Sequence, residues 1–351
     1  MKKNIKVFII LFLVVFCLTN NVSKVFAQDN RTQDTVTTQQ VIDKEAFEGY
    51  FDQAQDKEGA KDNIALYWHA SFKQGFDNNV YLDPSRRKDA FLQASIGEYM
   101  TYYHSDDQRV NFDSNITSLL YYNQNNNNLM DIYLNPWVEQ DIFDNLFTIE
   151  AGYVFDWVCF PNSPDGTYIN NGFSVYLRNN VTADFYHKIG GIIDLKSYIH
   201  DRTYDGSQNK TDTKRFDVVY AGEYQAAWYL WDTIKLKQRV RVFQNESNYK
   251  YENYYDYWGY DLKTTGIFYF TQKFYSIMNF SYTKKIFYQR TVPDSTSNQR
   301  DNLYVASFLL AYDITPSFTI SADYSYRQNV TNQPIDKYSG SIYTIAVNYA
   351  F

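Results

Sequence analysis

The last eleven residues, SIYTIAVNYAF, constrain the fold more than any other stretch of this 351-residue chain. Read back in steps of two, Phe351, Tyr349, Val347, Ile345, Tyr343 and Ser341 share one face of a strand. Ala350, Asn348, Ala346, Thr344 and Ile342 occupy the other face, which is smaller and mostly more polar. A strand that is apolar on one side and small or polar on the other suits a wall with lipid outside and water inside. The same period recurs upstream. Ile64, Leu66, Trp68, Ala70 and Phe72 oppose Tyr67, His69, Ser71 and Lys73, and Phe318, Ile320, Ala322, Tyr324 and Tyr326 oppose Thr319, Ser321, Asp323, Ser325 and Arg327. Three further segments, starting near Phe147, Ile234 and Tyr304, alternate as clearly. Weaker candidates lie near 89–102, 109–122, 129–140, 167–178, 181–196, 215–226, 257–270 and 275–288. With the terminal strand these make about fourteen, and the preference of bacterial barrels for even counts leaves twelve to sixteen open.

Composition separates membrane architectures. The mean hydropathy is -0.51, and no segment after residue 27 approaches the eighteen apolar residues that a spanning helix needs. Aromatics nevertheless make up 19 %, roughly twice a soluble protein's share. Tyr and Trp suit the headgroup layer, where the ring is sheltered and the polar edge stays wet. A net charge of -7 argues against nucleic-acid binding. The expected fold is all-β: a transmembrane antiparallel up-and-down barrel occupying residues 62–351 as one domain.

The front end reads as an export signal. Lys2, Lys3 and Lys6 precede an apolar run from Val7 to Leu18, and Val25-Phe26-Ala27 sets a cut before Gln28, giving a signal peptide over 1–27. Cys17 lies in the apolar run behind the bulky Phe16, a poor context for lipidation. Cleavage leaves Cys159 as the sole cysteine, so no intramolecular disulfide can form. Residues 28–61 are polar and lack β-periodicity. Val41, Ala46, Phe47, Tyr50 and Phe51 sit at helical spacing, so this periplasmic leader is either a short amphipathic helix or disordered.

Connectors sort into two kinds. Asp313 to Ser317, Asp144-Asn145 and the junction after Leu230 read as tight periplasmic turns. YHSDDQ, NQNNNN, PNSPDGTYINN, YDGSQNKTDTK, QNESNYKYENYYDY, PDSTSNQRDN and NVTNQPIDKYSG read as extracellular loops. Alternation of short turns with long loops is what an up-and-down meander requires.

Chemistry concentrates in one strand. Lys235, Lys237, Arg239 and Arg241 share a face opposite Ile234, Leu236, Val240 and Val242. Each cation would cost roughly 2–4 kcal/mol on the lipid side near the midplane, so the column is expected to line the lumen. It forms either a positive stripe that favours anions or a set of salt bridges with lumen carboxylates, for which Glu223 and Asp261 are the candidates. Tyr254, Tyr255, Tyr257 and Trp258, together with Tyr249 and Tyr251, read as an interfacial girdle, with a sugar-stacking platform as the alternative. The four histidines, His69, His104, His187 and His200, are isolated, and no zinc, phosphate-loop, dinucleotide or nucleophile-elbow motif occurs. The reading is therefore not an enzyme, with no catalytic residue, metal or cofactor.

Two segments carry a family resemblance. GFDNNVYLD, Gly75 to Asp83, is similar to the D-x-N-V signature that follows the first strand in porin-like bacterial outer-membrane barrels, some linked to exopolysaccharide export. The ending DYSYRQNVTNQPIDKYSGSIYTIAVNYAF resembles theirs too. The alternating terminal strand ending in Phe351, with Tyr349 and Val347 before it, looks like the signal read by the barrel-assembly machinery. The expected location is the bacterial outer membrane, and the expected partners are the lipid bilayer, that machinery through the C-terminal strand, and small solutes or ions, with no nucleic acid and the oligomeric state open. The function expected is a porin-like channel for small hydrophilic solutes with some anion preference. The alternatives are a closed barrel serving as a structural, adhesive or antigenic surface protein, and an exporter of exopolysaccharide.

Overall fold

The computed structural model describes residues 64–231, 233–293 and 295–351. The expected signal peptide and leader, with Cys17, lie outside the described residues. Fourteen strands run in sequence: β1 (Ile64–Asp77), β2 (Asp89–Ser105), β3 (Gln108–Tyr121), β4 (Leu129–Ile142), β5 (Phe147–Cys159), β6 (Tyr168–Thr182) and β7 (Phe185–Tyr204), then β8 (Lys210–Leu230), β9 (Ile234–Ser247), β10 (Tyr257–Tyr269), β11 (Phe274–Thr291), β12 (Asn298–Thr315), β13 (Phe318–Thr331) and β14 (Tyr338–Ala350). Each pairs antiparallel with its sequence neighbours, and β1 pairs with β14, so the sheet closes on itself and has no edge.

The register keeps the alternation in phase from strand to strand. Ile320 of β13 lies opposite Val347 of β14, and Phe72 of β1 opposite the same Val347. The outer face therefore carries Phe173, Val175, Leu177, Ile189, Val242 and Ile345, all exposed, with Ile345 at 70 %. The inner face carries Ser71, Gln93, Thr101, Thr117, Thr265 and Asn279, all buried. An apolar outside around a polar inside inverts the soluble pattern and is stable only where lipid bathes the outer face. At the short-turn rim, Phe143 is 74 % and Trp231 is 80 % exposed, as aromatic anchors at a membrane interface would be.

Pro136 lies inside β4, yet the barrel tolerates it. Its nitrogen cannot donate, and the β4–β5 register lapses between Leu134 and Trp137 while Pro136 stays paired with Phe112 of β3. The turn before β5 places Phe143, Asp144 and Asn145 all at positive φ, between 53° and 65°, a tight reversal that Asp and Asn accept more readily than most residues.

Two expected loops are corrected. YHSDDQ is no long loop: β2 runs to Ser105, β3 starts at Gln108, and the turn lies at the same end as the other short connections. The apolar alternation fades into Tyr102-Tyr103-His104 before the strand ends, which hid the continuation. Most of YDGSQNKTDTK is strand, because β7 and β8, with 20 and 21 residues, outrun β6 and β9, with 15 and 14. Beyond the bilayer a hairpin needs no apolar face, so its polar residues carry no period. Thr203 and Thr211 bond through their hydroxyls at 2.6 Å, and Arg202 pairs with Asp212.

The lumen is not polar throughout. Near the long-loop end, inward Phe91, Leu119, Leu129, Val158, Tyr168, Tyr198 and Ile342 form one apolar cluster with Phe160. Ile342 therefore departs from the small and polar character of its face of β14.

Candidate functional site

The column lies on the inward face of β9. Arg241 stands opposite Glu223 of β8 and Asp261 of β10, and Arg239 stands opposite Gln225 and Lys263. The contacts run diagonally. Arg239 reaches Asp261 at 2.9 Å and Glu223 at 3.8 Å. Arg241 reaches past β8 to Asp194 of β7 at 3.3 Å. Glu223 also accepts the Tyr176 hydroxyl at 3.0 Å, and Asp261 accepts Thr283 at 3.0 Å. Lys235 lies 5.2 Å from the Tyr229 ring centroid, and Lys237 sits opposite Ala227 and Thr265. Both suspected carboxylates thus meet the column, and Asp194 joins them.

A second network adjoins this one, and sequence reasoning passed it over. Arg109 of β3 pairs with Asp141 at 2.8 Å and Glu139 at 3.2 Å, both on β4. Arg178 of β6 bridges Glu139 at 3.3 Å and Glu150 of β5 at 2.9 Å, and Lys188 of β7 closes on Glu150 at 2.8 Å. Lys188 also stands 4.4 Å from the ring centroid of Tyr176, which bonds Glu223, so the two networks meet at β6 and β7. Charges of both signs consequently line the wall from β3 to β10. The available signal was parity: Glu139 and Asp141 share a face, as do Thr148 and Glu150. It identifies facing but not which strands lie close enough to pair.

The tyrosine cluster requires a correction. Trp258 faces outward, 39 % exposed, as a girdle residue would. Tyr257 faces inward, opposite the buried Asn245 and Phe287, with the Lys285 ammonium 5.0 Å from its ring. Tyr255 and Tyr254, in the connector between β9 and β10, stack on arginines. Arg215, buried and paired with Asp217 at 2.5 Å, lies 3.2 Å from the Tyr255 centroid, and Arg290, paired with Asp336 at 2.8 Å, lies 3.8 Å from that of Tyr254. Interfacial propensity is the same for a ring facing either way, so the sequence carried no trace of these cation–π partners.

Phe351 continues the β14 pairing, exchanging two 2.9 Å backbone hydrogen bonds with Trp68, and its ring lies 5.4 Å from that of Tyr349. The histidines are scattered: His69 on β1, His104 on β2, and His187 and His200 on β7. Among the described residues no group of three His, Cys, Asp or Glu side chains is arranged to hold a metal.

Facing can be read chemically. With Cys159 first changed to Ser, a cysteine at Lys237 is expected to react with a small charged thiol reagent, while one at Val240 is shielded by lipid. Labelling at 240 but not at 237 in intact vesicles would put the strand the wrong way round.

A closed, fourteen-strand antiparallel meander with an apolar exterior and a charged interior is a transmembrane β-barrel of the outer-membrane type. No family model matches the chain, and no curated protein matches it. Among solved structures, it is similar to OmpT, an outer membrane protein of Vibrio cholerae, at 12% identity and TM-score 0.48, covering 84% of this chain and 100% of that one. It is similar to an anion-selective porin from Comamonas acidovorans at 8% identity and TM-score 0.45, covering 82% and 99%. A Pseudomonas aeruginosa FadL homologue aligns at 8% identity and TM-score 0.45, over 82% and 90%. These likenesses are of architecture only.

Proposed function

We propose that the chain is a channel for small hydrophilic solutes, without enzymatic activity. The single observation that supports this most is the charged inner wall running from β3 to β10. Maintaining ionised side chains on the inner face of a membrane barrel is costly unless water or counter-charges reach them. Pairing of Arg239 and Arg241 with Glu223, Asp261 and Asp194 offsets much of the column's field. The anion preference is therefore modest and belongs to the column as a whole.

The test is conductance. Purified protein in planar bilayers is expected to give discrete steps, with reversal potentials in a salt gradient displaced toward chloride. Lys235→Gln with Lys237→Gln should shrink that displacement and leave the step size within about twofold. A silent but folded protein would favour the second reading, a closed structural or adhesive barrel, which the salt-bridge networks also suit. Conductance blocked by oligosaccharide would instead move the reading toward polysaccharide export. We read the terminal Phe351, with Tyr349 and Val347, as the signal for assembly. Its deletion is expected to lower outer-membrane levels more than it lowers stability in detergent.

A further inference from the structure

Thirteen of the fourteen neighbouring strand pairs are joined by a connector; β1 and β14 are not. That seam is also short, with nine registered pairs, His69↔Ala350 through Asp77↔Ile342, and the Trp68–Phe351 pair beyond them, against fourteen between β1 and β2. A barrel under stress is expected to part where the chain supplies no link and the ladder is shortest.

The Asp77-Asn78-Asn79-Val80 segment sits at the long-loop end of this seam and binds across it. Asp77 and Asn79 are fully buried, at 0 % exposure. Arg327 of β13 donates to the Asp77 carboxylate at 2.6 Å and to the Asn79 carbonyl at 2.9 Å. The same carboxylate accepts the Asn79 backbone N–H at 2.9 Å and the Tyr121 hydroxyl at 3.2 Å. The Asn79 amide donates to the carbonyls of Asp83 at 3.0 Å and Ser339 at 2.9 Å. Asn78 exchanges two bonds with the Ser341 backbone, its N–H donating at 3.0 Å and its side-chain oxygen accepting at 2.7 Å. One arginine, one carboxylate and two asparagines thereby connect β1, the first long loop, β13 and β14.

Two further features show a site built for close approach. A Cβ on Gly340 would lie 3.0 Å from the Asn79 Cβ and 3.6 Å from Arg327 Nε, so glycine lets β14 pass beneath the segment. In the loop that follows, Leu82 and Arg86 adopt φ of 51° and 52°, left-handed backbone that non-glycine residues hold only where surrounding contacts enforce it.

We propose that this segment is a seam clasp, and that Arg327 is its positioning residue: it holds the first long loop over the β1–β14 junction and sets how readily those two strands separate. The clasp explains why Asp77 and Asn79 are needed at this spacing. The carboxylate faces the lumen at the last paired position of β1, and the amide two residues on reaches over to β14.

Hydrogen exchange of the full chain in bilayers tests this independently of any channel activity. In Arg327→Met and in Asn79→Ala, amides in Ala70 to Phe76 and Ile342 to Asn348 are expected to exchange about tenfold faster or more, with β3 to β11 unchanged. Arg109→Gln breaks an ion pair between strands already joined by a connector and serves as the control, with no acceleration at the seam. Asn79→Ala removes hydrogen bonds but no charge, and so provides the reading if Arg327→Met does not assemble. Gly340→Ala should reproduce the pattern by displacing Asn79. Acceleration spread evenly over the barrel, or a seam unchanged in the variants that fold, would overturn the proposal.

Discussion

Glu150→Gln is expected to destabilise the folded barrel by about 3 kcal/mol, the usual size of the loss when one member of a buried ion pair is removed. Glu150 is 7 % exposed and stands between Arg178 at 2.9 Å and Lys188 at 2.8 Å. The substitution preserves shape and removes only the charge. Two cations on β6 and β7 then lose the carboxylate between them, although Arg178 retains Glu139 at 3.3 Å. Reversible urea unfolding in lipid vesicles measures the loss, with high salt expected to change it little because the group is sheltered. Adding Lys188→Gln should recover part of the stability, since the two positions share one contact and their effects do not add. A loss below about 0.5 kcal/mol would mean that this network is no more than a set of solvated surface pairs.

A comparable loss is expected from the opposite face. Ile345→Arg should cost roughly 2–4 kcal/mol in a bilayer, the range for arginine on the lipid side of a barrel near the midplane. Ile345 lies in the middle of β14, 70 % exposed, between Ala322 of β13 and Gln74 of β1. Nothing in the protein covers it, so packing contributes little and the penalty comes from the surroundings. In detergent micelles, which deform around a charge, the loss should be smaller. Equal stability of parent and variant in vesicles would mean that this surface does not face hydrocarbon.

The barrel class was legible because it depends on a local property. Successive side chains on a strand point to opposite faces, so SIYTIAVNYAF states its own facing, and the strong alternations around Phe147, Ile234, Tyr304 and Phe318 all correspond to strands. The same rule placed Lys235, Lys237, Arg239 and Arg241 on the inner wall, since lipid would penalise any other orientation. Legibility failed where both faces were polar, as in the outer half of the β7–β8 hairpin, and where a short turn looked like a loop, as at Asp106-Asp107.

Which inward residues meet was settled only by the closed sheet. Arg241 finds Asp194, 47 positions away, because β7 and β9 flank β8 and strand stagger brings a diagonal neighbour within reach. Arg327 finds Asp77, 250 positions away, because the first and last strands pair. Tyr255 leaves the expected girdle because Arg215, from a different hairpin, lies under its ring. Facing is set by backbone geometry over two residues and can be read from the chain itself. Partnership between faces depends on strand order, register and closure, which are properties of the whole sheet, and no stretch of sequence contains them.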